Sequence, residues 1–310
     1  MDFSEFRDEL IDIIKEKIEA NTNISIHVVS KNNGIKLTGI VIMKEEECIS
    51  PTIYLEPFFE MANQGKDLHL IADEILAISR EQKGQFNFDV EEFQDINVTG
   101  KKILYKLINY DKNEELLKNV PHRIWQDLAI VYYVLVSCDE LGTGTILVRD
   151  EHMRLWGIRE EDLFEFASVN TSKLLKKTTK SMAEIILEFM DEKMMDNEEK
   201  EITIKAAKEF GENTPVRMYV MGNKLKLNGA CVVLYENALK SFAECIESDF
   251  YILPSSIHEV ILVPANEEVD EQSLLSLVRE VNENNVTEEE WLSDNIYKYS
   301  RNENCVEMIS

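Results

Sequence analysis

The opening of the chain restricts its architecture more than any other segment: an amphipathic stretch is followed at once by two strand-like runs joined by a short polar turn. Phe3, Phe6, Leu10, Ile13, Ile14 and Ile18 recur at helical spacing, and Asp2 with Glu5 three residues later has the form of a capping box. Ile24 to Ser30 and Ile35 to Met43 then read as strands flanking Lys31-Asn32-Asn33-Gly34, where Asn-Gly suits the positive backbone angles of a hairpin turn. Ile49 to Leu55 reads as a third strand. Strands that arrive as hairpins, not alternating with helices, predict an α+β fold with antiparallel or mixed sheets, packed helices and two lobes.

Further along, Pro57 begins a helical stretch that Gly65 interrupts, and Leu68, Ile71, Ala72, Ile75 and Leu76 form the apolar stripe of a second helix. After a weakly patterned region, strand signals return at Ile103 to Tyr110, Leu128 to Ser137 and Thr145 to Val148, with Gly142-Thr143-Gly144 as a hairpin turn. Helices are expected over Asp150 to Trp156, Glu160 to Lys177 and Ser181 to Met195. The acid-rich Asp196 to Glu201 that follows predicts a boundary between an N-terminal lobe, 1–197, and a C-terminal lobe, 198–310. Strands are then expected at Val216 to Met221, Lys224 to Leu227, Ala230 to Leu234, Phe250 to Leu253 and Ile257 to Val263. Two helices interleave with them, one capped by Asn237 and one capped by Asp270, with Val269 and Leu274 forming a hydrophobic staple.

Charge excludes some functions. The formal charge is -26, from 59 acidic against 33 basic residues. Nucleic-acid binding relies on basic residues that displace counterions from phosphates, so direct binding is not expected, and docking on anionic membranes is disfavoured for the same reason. Five cysteines, Cys48, Cys138, Cys231, Cys245 and Cys305, are odd in number and without metal-ligand spacing, which fits a reducing compartment. The acidic start does not resemble a secretory signal, and no apolar run approaches the length that spans a bilayer. A soluble cytoplasmic protein without cofactor or metal is expected.

The strongest candidate site is Tyr251 to Pro264, where Ser255, Ser256, His258 and Glu259 interrupt an apolar run. Burying such groups without partners costs roughly 2 to 7 kcal/mol each, so they must meet water, a ligand or one another. On a regular strand Ser256 and His258 share one face and Glu259 takes the other, which leaves a Ser256–His258 pair as the only catalytic candidate and provides no orienting carboxylate. Cys231 precedes His258 in the order of papain-like proteases, but an apolar strand-like run favours a buried structural cysteine. His69 and Asp73, four apart on a helix, fit a surface pair better than a metal half-site.

Gly229 to Tyr235, Tyr251 to Glu259, Val281-Asn282 and Trp291 to Asp294 before a Tyr-rich tail resemble an uncharacterised family of bacterial proteins from Gram-positive gut anaerobes, a domain of unknown function. Pro51 to Phe59 through Gly65 and Glu160 to Phe164 through Asn170-Thr171 extend the resemblance over most of the chain. It implies accessory cargo of mobile elements with a role among intracellular proteins, and it brings no catalytic set. The sequence therefore predicts a protein-binding or accessory module with an unidentified protein partner, and no recognisable enzyme signature. The alternatives are a hydrolase using Ser256 and His258 or an acidic inhibitor that imitates nucleic acid.

Overall fold

The computed structural model describes residues 1–45, 50–83, 89–139, 142–191, 217–266 and 269–310. They form two compact units, Met1–Phe93 and Gln94–Ser310.

In the first unit, helix α1 (Phe3–Lys17) starts at the expected capping box: the Glu5 amide donates to the Asp2 carboxylate at 2.9 Å and the Asp2 amide to Glu5 at 3.0 Å. Strands β1 (Thr22–Ser30) and β2 (Lys36–Lys44) form the hairpin, with Asn33 and Gly34 at φ of 57° and 74°. Strand β3 (Thr52–Tyr54) pairs with β2, closing a sheet of order β1-β2-β3. Helices α2 (Glu56–Asn63) and α3 (Leu68–Lys83) flank Gly65, whose φ of 94° ends α2 at the position expected from sequence. Phe6, Leu10 and Ile14 of α1 meet Ile40 and Ile42 of β2 and Ile71 and Ile75 of α3 in one core. Asp73 accepts from Lys17 Nζ at 2.7 Å, and the same ammonium donates to the His69 carbonyl. Lys17 is thus the group that links those two residues.

The short helix α4 (Val90–Gln94) ends at the first residue of the second unit, whose first full helix is α5 (Ile96–Thr99). Strand β4 (Ile103–Asn109) leads through α6 (Glu114–Leu117) to β5 (His122–Trp125), β6 (Leu128–Asp139) and β7 (Gly142–Leu147). β6 is the centre: β4 pairs along one edge, β5 and β7 along the other. Leu128 to Val134 are all buried, so the run reads as continuously apolar and not alternating. Gly142, Thr143 and Gly144, expected as the hairpin turn, instead pair with Asp139, Cys138 and Ser137 as the start of β7, and residues 140–141 lie outside the described residues. Helices α7 (Asp150–Trp156) and α8 (Glu160–Leu174) follow, and Thr171 of α8 accepts from the Tyr105 amide of β4 at 3.1 Å while donating to Ala167.

A six-stranded antiparallel sheet completes this unit in the order β13-β12-β10-β11-β9-β8. Its strands are β8 (Lys177–Ser181), β9 (Tyr219–Asn223), β10 (Phe250–Leu253), β11 (Val260–Pro264), β12 (Ile296–Ser300) and β13 (Cys305–Ile309). Helix α9 (Met182–Asp191) follows β8; α10 (Ala238–Ile246) packs Phe242 against Tyr219 and Phe250. Helix α11 (Glu271–Asn285) packs Leu274, Leu275 and Val278 with Tyr251, Leu253, Val263 and Ile296. The α+β class with antiparallel sheets and packed helices holds. The boundary expected at 197/198 lies outside the described residues; β8 and β9, on either side of it, are neighbours in one sheet.

Several local expectations change. Ala230 to Leu234, read as a strand, is a fully apolar 3-10 turn over Gly229–Leu234, because a short buried run carries no period of its own. Lys224 to Leu227, also read as a strand, is a loop. Lys177, read as the end of one helix, and Ser181, read as the start of the next, are the two ends of strand β8, and neither β8 nor β5 was anticipated. Asp270 caps α11 through the Ser273 amide, whereas Asn237 has φ of 56° and makes no side-chain cap.

Candidate functional site

The polar run after β10 is not a continuous strand. β10 stops at Leu253, Ser256 makes a single bridge to Trp291, Ile257 and His258 form a bend, and β11 starts only at Val260. The backbone of this bend is held from two sides. Ile257 N–H donates to the Glu290 carbonyl at 2.9 Å, and the carbonyls of Pro254 and Ser255 accept from Ser293 and Leu292. On the opposite side the Ile257 carbonyl accepts from Ala230 at 3.1 Å. The His258 carbonyl sits against glycine: a Cβ on Gly229 would lie 2.1 Å from that oxygen, and one on Gly222 would lie 3.4 Å away. Gly229 is therefore required for close backbone approach.

This bend removes the period-two geometry expected for Ser256 and His258. Ser256 Oγ accepts from the backbone N–H of His258 at 3.1 Å, an interaction that makes the turn. The imidazole points elsewhere: Nδ1 lies 3.1 Å from the Lys226 carbonyl and Nε2 lies 3.3 Å from Glu290 Oε1. A carbonyl only accepts, so Nδ1 donates its proton to Lys226, while Nε2 faces the Glu290 carboxylate. The carboxylate that orients His258 is thus Glu290, which the sequence did not suggest, and not Glu259. Ser255 contributes its carbonyl to the scaffold.

Asn223 shapes the loop that presents the Lys226 carbonyl. Its Oδ1 accepts from the amides of Leu225 and Leu227 at 3.0 and 3.3 Å, and its Nδ2 donates to the Leu227 carbonyl at 2.7 Å. Lys226 and Asn228 take left-handed backbone angles, φ 52° and 48°. A buried network fixes the other support. Asp127 accepts from Tyr297 Oη at 2.5 Å, Ser293 Oγ at 2.6 Å and Asn295 Nδ2 at 3.0 Å. Asn282 Nδ2 donates to the Ser293 carbonyl and to Asp294, which also accepts from Trp291 Nε1 at 2.9 Å. Asn109 Nδ2 donates to the Leu292 carbonyl. Residues 290–295 are thus a rigid ledge carrying Glu290, assembled from segments far apart in sequence.

Ser256, His258, Glu259 and Glu290 line an open groove of about 820 Å³ floored by β8 and β9. Thr178, Lys180, Val220 and Gly222 face this groove, while Lys177, Thr179, Ser181 and Tyr219 face a second groove of about 680 Å³. Strand alternation assigns the two sets to opposite faces of the same strand pair. In the first groove Lys180 pairs with Glu188 at 2.6 Å, whereas Lys224 and Lys226 extend into solvent with no carboxylate within 4 Å among the described residues.

Nucleophilic chemistry finds little support. Cys231 is fully buried, and burial pushes its thiol up to about 12, the reverse of the activation a nucleophilic thiolate needs. Burial and the neighbouring Cys231 likewise raise Tyr105 and Tyr235, whose hydroxyl donates to the Leu175 carbonyl at 2.8 Å. No helix among the described residues is long and apolar enough to cross a membrane. No curated protein and no solved structure matches the chain. A family model described as Family of unknown function (DUF5688) matches residues 3–301. Spanning nearly the whole sequence, that match carries both units and the groove together, and the chain belongs to this family.

Proposed function

We propose that the chain acts by binding a partner protein, and that the groove floored by β8 and β9 receives an extended acidic segment of that partner. The observation that carries this reading is the pair of exposed ammonium groups, Lys224 and Lys226, without a carboxylate partner among the described residues and set beside a backbone-clamped bend in a chain of net charge -26. Local cations in so acidic a protein attract anionic segments at short range, while the remaining surface repels them. Glu259, exposed at the same groove, selects against segments that place a carboxylate there.

The geometry favours this over hydrolysis, because Ser256 Oγ accepts from the peptide N–H of His258 and the imidazole engages Lys226 and Glu290. Imitation of nucleic acid is also less well supported: Asp12, Glu19, Asp73, Glu74 and Glu115 each pair with a lysine and do not form an unbroken anionic face. The same proposal places the protein in the cytoplasm of a Gram-positive gut anaerobe, as an accessory protein travelling with mobile elements; the scattered cysteines and the family resemblance support it.

Selection from a displayed peptide library tests the reading. Peptides enriched on the wild type should be acidic and should lose binding to Lys224→Glu/Lys226→Glu. Enrichment of neutral or basic peptides, or equal binding to the variant, would count against it.

A further inference from the structure

The three-stranded sheet of the first unit has an open edge with an unusual composition. β1, Thr22–Ser30, pairs with β2 on one side and, among the described residues, with no strand on the other. Its sequence, Thr-Asn-Ile-Ser-Ile-His-Val-Val-Ser, contains no Asp, Glu, Lys, Arg, Pro or Gly, although 30% of the chain is charged. Natural edge strands are usually short, charged, bulged or interrupted by proline, because an unpaired row of N–H and C=O groups is a template for another strand. β1 has none of these devices along nine residues.

Two details narrow what covers it. Ile24 and Ile26 pack against the core of the unit, but Val28, on the same side by strand alternation, is 67% exposed. On the other side Ser25 and His27 are exposed and joined to each other at 2.9 Å. The strand is also nearly self-complementary when run antiparallel to itself about Ile26. Ile24 then meets Val28, Ser25 meets His27 and Thr22 meets Ser30, so apolar opposes apolar and polar opposes polar; only Asn23 against Val29 is mismatched.

We infer that β1 is a homodimer edge, at which a second copy of the chain pairs antiparallel about a two-fold axis through Ile26. The paired sheets form one six-stranded sheet, and each Val28 is covered by the partner subunit's Ile24. A two-fold contact of this kind is closed and stops at the dimer. The uncharged edge suits a second copy, since two strongly acidic chains can approach along it without opposed carboxylates. Long-range repulsion between the copies is screened by salt, so association strengthens with ionic strength.

The test is sedimentation equilibrium of the full chain over a wide concentration range at low and high salt. The wild type should show a monomer–dimer equilibrium that shifts toward dimer in salt. Ser25→Lys/His27→Lys sets like charges opposite one another twice and should weaken association at least about tenfold. Ser25→Lys/His27→Glu, built on the same positions, sets opposite charges across the axis and should restore it. Both sites are exposed in the single chain, so at concentrations low enough for all three proteins to be monomeric they should melt together, which separates lost pairing from lost folding. A wild type that stays monomeric at every concentration, leaving the edge to a different strand, would overturn the inference. So would a dimer indifferent to the double-lysine variant, or a failure of the Lys/Glu variant to recover.

Discussion

Asp127→Ala should destabilise the second unit by about 3 to 4 kcal/mol. The carboxylate accepts from Tyr297 Oη, Ser293 Oγ and Asn295 Nδ2, and both Tyr297 and Ser293 are fully buried. Removing it strands two buried hydroxyls, each at about 1 to 3 kcal/mol, while the partly exposed Asn295 amide recovers water and adds little. Burial, the largest of the causes that hold Tyr297 well above the usual tyrosine range, persists when the Asp127 charge is removed, so the phenol cannot relieve the loss by ionising. Urea unfolding followed by tryptophan fluorescence isolates the effect, because Trp125, Trp156 and Trp291 all lie within Gln94–Ser310. The midpoint should fall at constant slope, as expected when stability changes without a change in the surface exposed. Tyr297→Phe should cost about 1 kcal/mol, and adding it to Asp127→Ala should cost less than the two single losses summed, because the orphaned hydroxyl is then gone. A loss below about 1 kcal/mol for Asp127→Ala would refute the claim that this network holds the ledge under Glu290.

Three further outcomes follow from the same structure. Gly229→Ala should destabilise by about 3 kcal/mol or more and Gly222→Ala by clearly less, since the added methyl would meet the His258 carbonyl at 2.1 Å in one case and 3.4 Å in the other; comparison of melting temperatures decides. Ser273, through its hydroxyl and then its amide, holds the Asp270 carboxylate below its usual value, so the stabilisation is complete above the unfolded carboxylate value and is lost as pH falls through the depressed one. Ser273→Ala should therefore flatten the dependence of stability on pH between roughly 5 and 3, measured by thermal unfolding. A thiol reagent under native conditions should label exposed Cys245 and spare buried Cys231 until urea unfolds the second unit; labelling at equal rates would contradict the burial of Cys231.

What was legible in the sequence was local. Asp2 with Glu5 and Asp270 with Ser273 satisfy amides within one turn, and Asn33-Gly34 adopts its positive angles without outside help, so each could be read from a few adjacent residues. Apolar runs without a clear period misled, as at Gly229–Leu234, whose side chains are buried nearly all round. Asn237 carried a capping residue's chemistry but the wrong backbone angle. The candidate segment was found from its polar groups, yet its geometry was not, because the bend at Ser256 depends on Glu290, Ala230 and Gly229 from other segments. Glu290 and Asp127 had no sequence signal at all: a lone acid in so acidic a chain is marked only by the distant donors that converge on it.

Hydrogen exchange of the chain with and without a selected acidic peptide tests the central claim most directly. The account predicts slowed exchange in the Lys224–Leu227 loop and across Ser256–Glu259, with Cys305–Ile309 unchanged. Protection confined to other segments, with these two exchanging as in the free protein, would contradict it.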